Sequence, residues 1–207
     1  MLGRLAENFV TLFVVLDPVG SVPIFLHATA HMAARERSKI ACTATGVAFF
    51  VLMLFLYLAQ YLLDEMHIGI PAFRIAGGAV LMIFALRMIF GGHHDAPGAE
   101  AARSAAEIAV FPVALPGIAS PGALLAVVLL TDNNKYTLLE QSVTAGLTIA
   151  VLVIVLVALL LATRVQRLLG AAGITVVTQI MGLILVAFSV QQMLDGFVEV
   201  FGRAGGS

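Results

Sequence analysis

The sequence predicts an all-α membrane protein of six transmembrane helices, an inverted repeat of three and three in which the first and fourth helices are discontinuous. Three observations lead there. The chain is too apolar for water, its charges fall at bilayer-length intervals, and its halves carry matching proline–glycine breaks. Hydrophobic residues are 61% of the 207 positions and charged residues 11%, against roughly 45–50% and 25% in soluble domains. With a mean hydropathy of +1.06, a water-facing surface cannot be assembled. This excludes a soluble enzyme, a disordered chain and a disulfide scaffold. Cys42 is the only cysteine, so no internal disulfide, thiolate cluster or redox pair can form. Eleven basic residues against 12 acidic ones give a net charge of −1, and nothing points to nucleic acid.

The spans follow from bilayer thickness. A helix needs about 20 apolar residues, at roughly 1.5 Å each, to cross a core of roughly 30 Å. Ile40 to Leu63, Ile108 to Thr131, Gln141 to Thr163 and Leu168 to Leu194 lack Asp, Glu, Lys and Arg and are each long enough. Asn8 to Ala34 is interrupted only by Asp17. Ile70 to Phe90 contains Arg74 and Arg87 near its ends, where a long side chain can reach the headgroups. Arg4 before an apolar run and Ala28-Thr29-Ala30 resemble a signal peptide. Asp17-Pro18 inside that run argues against cleavage, so the first span is expected to stay in the membrane.

The basic residues set the expected orientation. Arg35, Arg37, Lys39, Arg87, Arg103, Arg164 and Arg167 fall on one side, and Arg4, Arg74, Lys135 and Arg203 on the other. The richer side is expected to be cytoplasmic, with both termini outside. Tyr57, Tyr61 and Tyr136 then lie toward the outer interface, which favours amphipathic rings.

The halves echo each other. Pro18 and Pro23 are five apart, as are Pro116 and Pro121. Gly46 corresponds to Gly146, and Ile75, Gly77, Met88 and Gly91 to Ile180, Gly182, Met193 and Gly196. A unit of three spans must insert its second copy upside down, the plan of many secondary transporters, whose substrate sites lie near the midplane between discontinuous helices. The chain is therefore read as one transmembrane domain, with repeat one at 1–92, a cytoplasmic connector at 93–105 and repeat two at 106–207.

The breaks are where chemistry is expected. Proline removes a donor and glycine loosens the backbone, and freed backbone groups survive in a bilayer only when buried in protein or lining a wet cavity. Asp17-Pro18 and Ser120-Pro121 read as helix restarts, with the acid or hydroxyl as N-cap and proline first in the helix. Two such helix starts near mid-depth suit an anion such as a substrate carboxylate. Asp17 is the only acidic residue well inside a span; it can carry a proton, pair with a substrate ammonium, hold a cation, or simply cap. The candidate substrate-binding residues are Asp17, Pro18, Gly20, Ser21 and Pro23 at one break, and Pro116, Gly117, Ser120, Pro121 and Gly122 at the other.

The remaining polar positions read more plainly. Thr43, Thr45, Gln179, Ser189, Gln191 and Gln192 are expected to make hydrogen bonds between helices. Gly77-Gly78 and Gly182 are expected to let helices approach closely. His27, His31, His93 and His94 read as surface residues rather than metal ligands. No HExxH, GxSxG or P-loop is present, and no catalytic residue, metal or cofactor is expected.

The two break motifs carry a family resemblance. Asp17-Pro18-Val19-Gly20-Ser21-Val22-Pro23-Ile24-Phe25 resembles the D-P-x-G-x-x-P-I-F element of the bacterial MarC family, and Phe111 through Ala123 resembles its second signature, P-L-A-x-P-x-x-A-G-P-G-A. The resemblance covers nearly the whole chain. Ser120 departs from the family's usual glycine and adds a hydroxyl. The resemblance implies a bacterial inner-membrane protein that transports small neutral amino acids such as glycine and alanine. A zwitterion fits the residue reading, with N–H groups for the carboxylate and Asp17 or exposed carbonyls for the ammonium. A proton or Na+ is the expected coupling ion. The competing readings are an ion channel or exchanger that uses Asp17, and a membrane subunit without transport.

Overall fold

The computed structural model describes residues 2–90, 104–132 and 137–204, and among these every regular element is helical. Most of the expected connector (93–103, with His93, His94 and Arg103) and the positions Lys135 and Tyr136 lie outside the described residues, while its last two positions cap and open a helix, Ser104 as N-cap and Ala105 as first residue. The first apolar run folds as α1 (Leu2–Leu16) and α2 (Ser21–Ala28), followed by α3 (Ala34–Glu65) and α4 (Ile70–Phe90). The fourth run contains a short α5 (Ala105–Ile108), an irregular stretch (Ala109–Ile118) and α6 (Pro121–Leu129). Helices α7 (Leu138–Leu160) and α8 (Ala162–Ala204) complete the chain. α8 breaks at Gly170, whose φ of 67° is left-handed backbone that glycine adopts without a side-chain clash.

Five helical stretches are long and apolar enough to cross a bilayer: Gly3–Ala28, Ala34–Glu65, Ile70–Phe90, Leu138–Leu160 and Ala172–Gly202. The pair Ala105–Ile118 and Pro121–Leu129, bent by 56°, makes a sixth if it counts as one span.

Helix starts follow local side-chain chemistry. Glu107 accepts from the Ser104 N–H at 2.7 Å, Glu140 from Thr137 N–H at 2.9 Å and Glu36 from Ala33 N–H at 3.4 Å. Each glutamate thereby reaches back over the first turn to satisfy a donor that the helix leaves open. The irregular stretch has an equally local cause. Phe111 (φ −136°, ψ 119°) and Leu115 (φ −126°, ψ 122°) are extended, and each precedes a proline. The proline ring crowds the residue before it out of helical geometry.

The core lies where α1, α3, α7 and the irregular stretch meet, around Leu12, Leu16, Ile40, Leu52, Val113, Ile118 and Leu159. Gln60 of α3 donates to the Val128 carbonyl of α6 at 3.1 Å, and Thr131 just beyond α6 donates to Leu56 at 3.3 Å. Large apolar side chains such as Phe50 (67% exposed) and Tyr61 (65%) cover the outside, the arrangement a lipid environment requires.

α4 and α8 run antiparallel along a seam of glycines. A Cβ on Gly78 would lie 2.9 Å from the Ser189 carbonyl oxygen, one on Gly182 3.1 Å from that of Ala85, and one on Gly196 2.8 Å from that of Pro71. Small residues of this kind let membrane helices approach to backbone contact. Gln179 adds a hydrogen bond across the seam to the Ile89 carbonyl at 3.1 Å, as its polar side chain in an apolar span suggests. Thr45 and Ser189 instead bond within their own helices, to Ala41 and Val186.

Two ion pairs tie four helices together at one end of the molecule. Arg4 of α1 lies 3.5 Å from Glu140 of α7, and Arg74 of α4 lies 3.9 Å from Asp195 of α8. The sequence led us to expect that Arg74 and Arg87 both reach for headgroups. Arg87 is exposed, but the Arg74 side chain is only 18% exposed and turns inward. Asp195 across the seam gives it a partner inside the protein, which removes the need to extend to the membrane surface.

Candidate functional site

Asp17 closes α1 and opens α2. Its φ of 45° lies in the left-handed region, which aspartate enters more readily than most residues. That turn directs the carboxylate over the start of the next helix. Oδ1 accepts from the Gly20 N–H at 2.9 Å, and the Asp17 carbonyl accepts from Ser21 N–H at 3.1 Å and from Ser21 Oγ at 2.9 Å. This is a capping geometry, with Pro18 as first residue of the turn, where its missing donor costs nothing. Pro23 likewise cannot bond back to Val19, whose carbonyl accepts instead from Val22 N–H at 3.2 Å.

The second carboxylate oxygen is different. Asp17 Oδ2 is buried and has no hydrogen-bond partner. Gly20 makes the space it occupies: a Cβ there would collide with Oδ2 and come within 2.9 Å of Met88 Cε.

Ser120 organises the other break. It is the N-cap of α6, accepting from Ala123 N–H at 3.1 Å, with Pro121 first in the helix. Its hydroxyl donates to the Val15 carbonyl at 3.1 Å, and so engages a group at the end of α1. Gly122 tightens the same contact, since a Cβ there would lie 2.7 Å from Val15 Cγ1 and 2.5 Å from Leu81 Cδ1. Gly117 sits over the Pro112 carbonyl, 2.9 Å from where its Cβ would be, and faces Ile24 of α2 at 3.6 Å.

The ten residues singled out from sequence therefore fall into one region, where Ser120 and Gly122 meet the end of α1 and Gly117 meets α2. Asp17, Pro18, Gly20, Ser21, Gly117, Ser120 and Gly122 are buried, and Pro23, Pro116 and Pro121 are half-buried. The packing there is tight.

A cavity of about 260 Å³ lies nearby, at the end of the molecule carrying the α1 N-terminus. Arg4, Glu7, Asn8 and Thr11 of α1, Arg74 of α4, and Gln192 and Asp195 of α8 supply its polar wall, while Leu129, Leu130 and Phe188 supply its apolar one. Thr11 is six residues before Asp17, about 9 Å along α1 at 1.5 Å per residue. Of these, the sequence singled out Gln192, as an interhelical hydrogen bond, and Arg4 and Arg74, as charges at the ends of spans. The available signal was opposite charges near the ends of different spans, with Arg4 and Arg74 on one side.

Comparison with known proteins bears on the whole chain. A family model described as MarC family integral membrane protein matches residues 2–201. The chain belongs to the MarC family. A UPF0056 membrane protein of Archaeoglobus fulgidus is 31% identical over 195 residues, covering 93% of this chain and 91% of the relative. One from Aquifex aeolicus is 33% identical over 199 residues, covering 92% and 90%. The UPF0056 inner membrane protein MarC of Escherichia coli (strain UTI89 / UPEC) is 29% identical over 210 residues, covering 93% of each. No solved structure matches the chain. In this MarC-family integral membrane protein the Ser120 hydroxyl fastens the start of α6 to Val15, two residues before Asp17.

Proposed function

We propose that this MarC-family protein is a secondary transporter of small neutral amino acids or similarly small polar solutes, with its binding site near mid-depth, where the α6 start meets the end of α1 beside Asp17. It is an inner-membrane protein of six spans, both termini periplasmic, and it performs no enzymatic reaction. The observation that carries the reading is Asp17 Oδ2, a buried acceptor left without a partner in the turn before α2. An unpaired acceptor of this kind costs about 1–3 kcal/mol or more, and a substrate ammonium would relieve it. The positive end of the α6 dipole suits the carboxylate of the same molecule. The breaks are tightly packed, so substrate entry requires them to part, and the cavity about 9 Å away fits an approach from one side.

An inverted 3+3 arrangement is supported by how α4 and α8 meet. Gly78 contacts Ser189 as Gly182 contacts Ala85, and both exchanges relate positions 104 apart. The capping glutamates Glu36 and Glu140 are separated by the same interval. This register equates Gly182 with Gly78 rather than Gly77, one position from the correspondence that the sequence suggests.

The test is uptake of labelled glycine or alanine by proteoliposomes under imposed proton and Na+ gradients. Uptake that Asp17→Asn abolishes in a folded protein supports the reading. Gradient-independent ionic current across a planar bilayer would favour the channel reading, and neither uptake nor current would favour a non-transporting subunit.

A further inference from the structure

We infer that the cavity between α1, α4 and α8 is a second binding site, a vestibule that takes a small zwitterion before it reaches the breaks. The inference rests on the transporter reading and adds a site with its own residues.

Size gives the first argument. At about 260 Å³ the cavity lies just below the roughly 300–1,000 Å³ of sites that enclose drug-sized ligands, which suits a metabolite of a few heavy atoms. Charge gives the second. The wall carries two cations, Arg4 and Arg74, and two anions, Glu7 and Asp195. A net anion or a net cation meets repulsion from half of them, whereas a molecule holding both charges does not. The apolar wall of Leu129, Leu130 and Phe188 accommodates a short aliphatic side chain.

Unsatisfied atoms give the third and most specific argument. Arg74 Nε, a donor, and Gln192 Oε1, an acceptor, are both buried without partners. They belong to facing helices, and Asp195 lies one turn beyond Gln192. Gln191 Nε2 donates to Asp195 Oδ1 at 2.7 Å, but the Arg74–Asp195 separation of 3.9 Å exceeds the roughly 2.7–2.9 Å of a charge-assisted hydrogen bond, so Arg74 is only loosely engaged. A carboxylate on the Arg74 guanidinium and an ammonium between Gln192 and Asp195 would satisfy the donor, the acceptor and the loose pair together. A single water could satisfy the two orphaned atoms, but it would leave Arg74 as loosely engaged as before.

The same chemistry occurs in free amino acids and in the phosphoethanolamine headgroup, and equilibrium titration of the full chain in detergent separates the sources. The expected result is two equivalents of L-alanine per chain, with one lost in Arg74→Gln and the other lost in Asp17→Asn. The equivalent that survives in each variant shows that it is folded. Propionate and ethylammonium, each carrying one of the two charges, should bind the Arg74-dependent site at least tenfold more weakly than alanine. Arg74→Lys, which keeps a charge but not the planar fork, should recover only part of the affinity. If glycerophosphoethanolamine fills the Arg74-dependent site and alanine does not, the zwitterion site stands with a lipid headgroup as its source. One equivalent of alanine, lost in Asp17→Asn and untouched by Arg74→Gln, overturns the vestibule and leaves the transporter reading intact. No binding of any zwitterion overturns both.

Discussion

Ser120 Oγ and the Val15 carbonyl oxygen lie 3.1 Å apart, joining the start of α6 to the end of α1 across 105 positions of sequence. The hydroxyl donates there while accepting from Ala123 N–H in its own helix, so one side chain both caps a helix and fastens it to the neighbouring break. Ser120→Ala removes both interactions. A lost N-cap costs about 0.5–2 kcal/mol, and the Val15 carbonyl loses its hydroxyl donor. Thermal unfolding in detergent should show a clear drop for Ser120→Ala, with Ser120→Thr close to the parent.

Asp17 separates capping from charge. Asparagine caps about as well as aspartate, so Asp17→Asn should change stability by less than about 1 kcal/mol while abolishing transport. Asp17→Ala loses the cap as well and should also unfold at lower temperature. Equal stability of Asp17→Asn and Asp17→Ala would show that the bond to Gly20 N–H contributes little.

Gly20 and Gly122 test the space at the breaks. Gly20→Ala drives a methyl group into Asp17 Oδ2, and Gly122→Leu into Val15 and Leu81. Overpacking of this kind costs about 1–3 kcal/mol. The expected outcome is a lowered unfolding temperature for both, with loss of labelled alanine uptake even for the molecules that remain folded.

The α4–α8 seam should be sensitive from either side. Gly78→Leu and Gly182→Leu each place a side chain against a carbonyl on the opposite helix. Their effects on stability should be similar, because the two contacts have the same geometry. A large effect of one and none of the other would count against the 104-residue register.

What the sequence disclosed and what it withheld divide along a physical line. Capping and proline chemistry act within four residues, so Ser120-Pro121 could be recognised as a helix start and Asp17-Pro18 as a break from the letters alone, although α2 itself begins three residues later, at Ser21. Span lengths were legible for the same reason, since charges interrupt apolar runs at bilayer intervals. The vestibule was not legible. Arg74 and Gln192 are more than a hundred positions apart, and only the glycine seam sets the register that brings them to one cavity. Arg74 read as a headgroup-reaching residue because the sequence does not reveal that Asp195 waits across the seam. Gln192 read as a hydrogen bond between helices, yet its buried Oε1 has no partner.

Counterflow in proteoliposomes reports on a substrate site at the breaks. Vesicles preloaded with unlabelled alanine should accumulate labelled alanine through the parent protein, and not through a folded Asp17→Asn variant. Equal accumulation by both proteins would contradict a substrate site at the breaks.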